Sequence, residues 1–323
     1  MSEFSLIDRF FTNIGKAKDD VIIDIGDDAA VVDVTQKKRL AIAVDTFVEG
    51  VHFPTQTRAY DVGWKCLAVN LSDMAAMGAK PLWATLAITL PKQDDSWLAE
   101  FSRGFNDLAT RFDVRLIGGD TTRGPLSITV NIFGDSSEDF VLTRSAAKPG
   151  DKIYVSGFLG DASIGLQSLS KQLPLSTTEQ QGLQLKLNRP MPRVKEALAL
   201  KSFINSAIDI SDGLYADLNH ILSASDVGAL VYINRIPVSR EYQWCCNGAQ
   251  NYDVALTGGD DYELCVTVSA ENETQFLLCA EKFETSWSCI GEIKAEQVLL
   301  LLNANNEEYR VAGHAYDHFV SES

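Results

Sequence analysis

Ile25-Gly26-Asp27-Asp28-Ala29-Ala30 sets two carboxylates between a short apolar run and a second one, Ala29-Ala30-Val31-Val32. Adjacent carboxylates at the lip of a core repel each other and are costly to desolvate, so they call for a partner. A surface turn, where Gly and Asp are common, is the competing reading. Recurrence favours the first. Leu40-Ala41-Ile42-Ala43-Val44 stops on Asp45-Thr46, and Leu67-Ala68-Val69-Asn70-Leu71-Ser72 stops on Asp73. Leu116-Ile117-Gly118-Gly119 stops on Asp120-Thr121, and Ala207-Ile208-Asp209-Ile210-Ser211 on Asp212-Gly213. Apolar elements that end on Asp predict carboxylates gathered at one end of a sheet. Oxygen donors of that kind suit Mg²⁺, a hard octahedral ion usually shared with substrate phosphates. Aspartates 27, 28, 45, 73, 120, 209 and 212 make up the set. It fits phosphoryl transfer, where catalysis is mostly positioning and charge neutralisation. Arg123 and Arg144 are candidate phosphate contacts, with a solvated surface Arg as the alternative for each.

Other chemistries lack their signatures. The chain has no G-x-x-x-x-G-K-[ST] loop, no protein-kinase motif set, no His/Cys group at zinc spacing and no G-x-S-x-G elbow. Gly157-Phe158-Leu159-Gly160-Asp161-Ala162 leads glycine-rich into a helix but is not G-x-G-x-x-G, a weak phosphate-loop signal.

Composition bounds the partners. At 323 residues and 46% hydrophobic, the chain reads as a soluble globular protein of about two domains. A net charge of −16, from 44 acidic and 28 basic residues, argues against nucleic acid. Nucleotides stay possible through metal ions. The six cysteines form no C-x-x-C pair and read as reduced thiols in a cytoplasmic protein. No apolar run nears the roughly 18 residues of a membrane span, and the first residues do not read as a signal peptide. Phe4, Ile7, Phe10, Phe11 and Ile14 follow helical spacing instead, predicting a short docking helix closed at Gly15.

These residues need elements to hold them. The patterning predicts strands at 29–34 and 40–45 joined by a polar turn, then a helix over 59–77 that brings Asn70 and Asp73 together. A strand at 82–90 and a helix marked by Trp97, Phe101, Phe105, Leu108 and Phe112 follow, the aromatic stripe reading as core. Strands at 114–118 and 126–133 flank a loop over 120–125. The turn-rich stretch 146–151 divides an N-terminal domain, 1–147, from a C-terminal domain, 148–323. Beyond it come strands at 152–156, 206–210, 229–233, 263–268 and 297–302, and a helix at 191–201. A second helix starts at Asp212 and turns Leu214, Leu218, Ile221 and Leu222 inward; 171–186 carries no signal. Without strict alternation of strand and helix, the fold class is α+β. Val114-x-Leu-x-Gly118-Gly119-Asp120 recurs as Val254-x-Leu-x-Gly258-Gly259-Asp260, but the surrounding element order does not repeat, so duplication is not expected.

Taken together, the blocks resemble the thiamine-monophosphate kinase family of the aminoimidazole-ribonucleotide synthetase-like superfamily. They run nearly the full length: Gly26-Asp27-Asp28-Ala29, Asp45-Thr46 with Gly50-Val51-His52-Phe53, Asn70-Leu71-Ser72-Asp73-Met74-Ala75-Ala76-Met77-Gly78-Ala79, Ile117-Gly118-Gly119-Asp120-Thr121-Thr122, Thr143-Arg144-Ser145, Asp209-Ile210-Ser211-Asp212-Gly213-Leu214, Gly258-Gly259-Asp260-Asp261-Tyr262-Glu263-Leu264 and Tyr316-Asp317-His318-Phe319. The resemblance implies transfer of the γ-phosphate of ATP to thiamine monophosphate. It implies Mg²⁺ held by Asp28, Asp45, Asp73, Asp120, Asp209 and Asp212, with Asp45 and Asp120 most critical. Gly119, Asp120, Arg144 and Ser211 would meet ATP, and His52, Asp260 and Tyr316 the thiamine moiety. It also implies a homodimer whose N-terminal sheets join into a barrel. The family usually has hydroxyl residues before the Asp at 45, where Ala43-Val44 stand, so a metal contact from Val44 uses its backbone carbonyl. Gly-Gly-Glu is common where this chain has Gly258-Gly259-Asp260, and the shorter side chain would reach substrate through water.

The rivals are another ATP-using synthetase of the superfamily and a non-catalytic nucleotide- or metal-binding protein. The selenophosphate branch needs an N-terminal Cys, whereas the first here is Cys66; the hydrogenase-maturation branch ends in Cys, where Ser321-Glu322-Ser323 stand. Turnover separates the enzyme from the sensor.

Overall fold

The computed structural model describes residues 9–23, 31–34, 38–137, 141–246 and 251–312. Asp27, Asp28 and Tyr316 lie outside the described residues. Two compact units form, residues 1–74 with 78–141 and residues 75–77 with 142–323. Residues 9 and 10 are helical, and Phe10, Phe11 and Ile14 are buried ahead of Gly15, which turns at φ 78°; the earlier part of the expected docking helix lies outside the described residues.

In the first unit, β1 (Val21–Ile23) and β2 (Val31–Val32) pair as a small antiparallel ribbon. β3 (Lys38–Val48), α1 (Ala59–Ala76), β4 (Lys80–Leu90), α2 (Asp95–Phe112), β5 (Arg115–Arg123) and β6 (Ser127–Ser137) follow. The sheet order is β3-β6-β4-β5, with only β4 and β5 parallel. Ile128, Val130 and Ile132 on alternate positions of β6 bury one face, as the period-two side-chain alternation of a strand requires. α1 and α2 touch backbone to backbone: a Cβ on Gly104 would lie 1.9 Å from the carbonyl oxygen of Tyr60. The aromatic stripe is core, with Phe101, Phe105 and Leu108 fully buried.

The second unit is built on a six-stranded sheet. Its strands are β7 (Lys152–Ser156), β8 (Ser206–Ile210), β9 (Gly228–Tyr232), β10 (Glu263–Val268), β11 (Trp287–Lys294) and β12 (Leu299–Leu302), ordered β12-β9-β11-β7-β10-β8. Its helices are α3 (Asp161–Gln167), α4 (Thr177–Asn188), α5 (Val194–Leu200), α6 (Leu214–Ser225), α7 (Arg240–Cys245), α8 (Asp253–Thr257) and α9 (Glu273–Ala280). Leu214, Leu218, Ile221 and Leu222 of α6 face the core. Mixed sheets with helices in both units make the fold α+β.

Several expectations need correction. β2 and β3 do not pair with each other; they belong to different sheets. The loop foreseen over 120–125 is strand as far as Arg123, because parallel pairing with β4 continues through Thr122 and Arg123. Asp45 and Asp120 therefore stand inside strands rather than at their ends. The Gly-Gly-Asp echo is no structural repeat, since its first copy lies on β5 and its second on α8 and the turn after it.

Candidate functional site

Within the first unit, Asp45 and Asp73 come together. Asp45 pairs in register with the buried Val130, so its side chain points to the face of the sheet that α1 covers. Asp73 on α1 lies within hydrogen-bonding reach of it. Burial pushes the Asp45 carboxyl above its usual range, and the contact with Asp73 pulls the other way. One turn earlier on α1, the Asn70 amide donates to the Cys66 carbonyl at 3.0 Å. Its Oδ1 and the Ser72 hydroxyl are buried with no partner among the described residues.

Asp120 is placed differently. In register, Thr46 lies beside Thr129, Thr129 beside Ala87, and Ala87 beside Asp120. The Thr46 and Thr129 hydroxyls are 2.9 Å apart, which marks the open face of the sheet. Asp120 projects from that face, opposite to Asp45 and three strand spacings away, about 14 Å. The two cannot share an ion within one unit. Gly119 fixes the placement: a Cβ there would lie 1.8 Å from the Leu86 carbonyl oxygen, so only glycine lets β5 close on β4. An open groove lined by Asp120, Thr121, Thr122, Arg123, Lys92 and Gln93 runs past this edge. Val44 shares the open face and is 56% exposed. In the turn after β3, the Val48 N–H donates to His52 Nδ1 at 3.0 Å, and the imidazole stacks on Phe47 at 5.5 Å. Nδ1 accepts, so the neutral ring carries its hydrogen on Nε2.

In the second unit the turn following β8 gathers the predicted residues. Asp209 is 5% exposed on β8, and Ser211-Asp212-Gly213 lead into α6. Asp217, in the first turn of α6, accepts from the amides of Ser211 and Asp212. Burial and the charges of Asp209 and Asp212 push its carboxyl up to about 7. Asp260, at φ 71°, donates its amide to the Ser211 carbonyl at 2.9 Å and accepts from the Tyr262 hydroxyl at 3.1 Å. The neighbouring Asp261 accepts the Gly160 N–H at 2.7 Å, clamping the Gly157–Gly160 loop; burial pushes its carboxyl well up. Arg144 is exposed on a short 3₁₀ turn that follows the bridge of Thr143 to Ser206 on the edge strand β8, its carbonyl accepting from Ser225 Oγ at 2.7 Å.

The candidate donors in both units are carboxylate oxygens, Asp45 with Asp73 in the first and Asp209 with Asp212 in the second. That donor chemistry fits Mg²⁺, although the described residues contain no preformed group of three or more metal-ligating side chains. Asp217 and Asp261 escaped the sequence reading. Asp217 stands four residues past Gly213, one helical turn in, which is the only local signal it offers.

Residues 26–135 match AIR synthase related protein, N-terminal domain, and residues 148–301 match AIR synthase related protein, C-terminal domain. Fold and site thus define a two-domain protein of the AIR synthase related class. Thiamine-monophosphate kinase of Escherichia coli K12 is 43% identical over 320 residues, covering 99% of this chain and 98% of its own. The crystal structure of thiamine-monophosphate kinase from Stenotrophomonas maltophilia superposes with a TM-score of 0.85 at 44% identity, covering 93% of this chain and 96% of that one. AaThiL complexed with AMPPCP and TMP does so at 0.78 and 28%, covering 88% and 89%. The chain belongs to the thiamine-monophosphate kinase family.

Proposed function

We infer that this chain transfers the γ-phosphoryl group of ATP to thiamine monophosphate, giving ADP and thiamine diphosphate. The observation that carries this is end-to-end likeness to the Escherichia coli kinase at 43% identity. A relative that holds AMPPCP together with TMP supports the same pair of ligands.

The acceptor is itself a phosphate with a second pKa of about 6, so it is already ionised at neutral pH and needs no general base. The barrier is the approach of two polyanions. Asp28, the Val44 carbonyl, Asp45, Asp73, Asp120, Asp209 and Asp212 would hold Mg²⁺. Bound there, the ions supply charge neutralisation between carboxylates and phosphates. Gly119, Asp120, Arg144 and Ser211 orient ATP, Arg144 through its guanidinium and Gly119 through an uncluttered backbone. His52, Asp260 and Tyr316 orient the thiamine moiety, His52 through its Nε2–H. ATP and metal binding belong to residues 1–147, and residues 148–323 complete the site. A homodimer joined through the N-terminal sheets into a barrel is supported by the exposed Leu40, Ile42 and Val44 on the edge strand β3. Six free cysteines support a reducing, cytoplasmic location.

Transfer is direct and in line, without a phosphoenzyme. ATP made chiral at the γ-phosphorus is expected to give thiamine diphosphate with inverted configuration. Retention would contradict the scheme.

A further inference from the structure

The Ser211–Gly213 turn is held by the side chain of Asp217. Asp217 is 3% exposed. One of its carboxylate oxygens, Oδ2, accepts from Ser211 N–H at 3.0 Å and from Asp212 N–H at 3.1 Å. Two consecutive amides converging on one oxygen fix both peptide planes of the turn. The opposite side of the same turn is fixed as well, because the Ser211 carbonyl accepts the Asp260 amide. Gly213 closes the turn at φ 110°, where a Cβ would lie 2.8 Å from the Leu256 carbonyl oxygen. The backbone between Asp209 and α6 therefore has little freedom left, and Asp217 supplies two of its restraints.

We propose that Asp217 is a positioning residue, holding the Ser211 and Asp212 backbone in the geometry that receives the nucleotide and its metal. This rests on the roles given above to Ser211 and Asp212. The placement resembles a partner that orients a ligand without touching the ion, a kind whose loss typically weakens affinity 10–100-fold. Asn at 217 presents an amide oxygen in the same place and can accept both N–H groups; Ala cannot.

The test uses the full chain with Mg²⁺ and a non-hydrolysable ATP analogue, reading amide exchange at Ser211 and Asp212 beside the dissociation constant. Asp217→Ala is expected to expose both amides to fast exchange and to raise the constant about tenfold or more. Asp217→Asn is expected to stay within about threefold of the parent, a rescue that bulk destabilisation would not produce. Faster exchange with unchanged affinity in Asp217→Ala would reduce the residue to a structural cap and overturn the proposal. Should Asp217→Ala not fold, Asp217→Asn decides, and tenfold weaker binding there also overturns it. Asp212→Asn separates the levels: if it loses affinity and Asp217→Ala does not, only the positioning role fails. If neither variant loses affinity, the roles of Ser211 and Asp212 fail with it.

Discussion

Asp45 and Asp120 stand on opposite faces of one sheet, and their replacement tests them separately. Burial already disfavours the charged form of Asp45, so a neutral amide there spares the fold a desolvation cost. Asp120 is exposed, and its replacement leaves packing untouched. Asp45→Asn and Asp120→Asn are each expected to cut turnover at least about a hundredfold, the scale of losing one group that stabilises developing charge. Far-ultraviolet dichroism and the unfolding midpoint should remain near the parent's. Near-normal turnover in both would remove them from the site. The aspartates themselves were legible because the chain repeats an apolar run closed by Asp. Which face each one takes was not, because it depends on strand register, and a one-residue shift reverses every side chain. Asp217 stayed hidden because it acts on backbone amides, which carry no sequence signature.

Periodic helices and short continuous apolar strands were both legible: the strands read at 152–156, 206–210 and 263–268 are β7, β8 and β10. The stripe from Trp97 to Phe112 fixed α2, and the Asp94 side chain caps its start by accepting the Trp97 amide. α4 lies partly in a stretch read as featureless, yet Ser176 and Glu179 form a capping box at its start, a pattern visible in the sequence. Asp120-Thr121-Thr122-Arg123 reads locally as a break between strands, but pairing with β4 holds it as strand, a tertiary effect that propensity does not contain. The crossing of α1 and α2 depends on Gly104, whose missing Cβ leaves room for the Tyr60 carbonyl. Since the obstacle is backbone, no rotamer change relieves it. Gly104→Ala is expected to destabilise the protein by about 1–3 kcal/mol, as overpacking does. Urea unfolding reads this as a lower midpoint with an unchanged slope; an unaltered midpoint would mean the helices part freely.

At the scale of the whole molecule, β3 is an edge strand with an apolar outward row. Leu40, Ile42 and Val44 are 42%, 62% and 56% exposed, and among the described residues β3 pairs only with β6. Such an edge invites a second strand or a covering sheet. Ile42→Lys buries a charge in any interface built there, so sedimentation should show dimer for the parent and monomer for the variant. Equal sedimentation of the two would place the interface elsewhere. Two-domain organisation was legible from length, whereas the exposure of the β3 row was not, because alternate apolar residues in a strand look the same whether they cover a core or face outward.

Product analysis tests the reaction most directly. Purified protein given ATP, thiamine monophosphate and Mg²⁺ should form ADP and thiamine diphosphate in equal amounts, and neither after chelation of the metal. Nucleotide and metal binding with no thiamine diphosphate formed would contradict it.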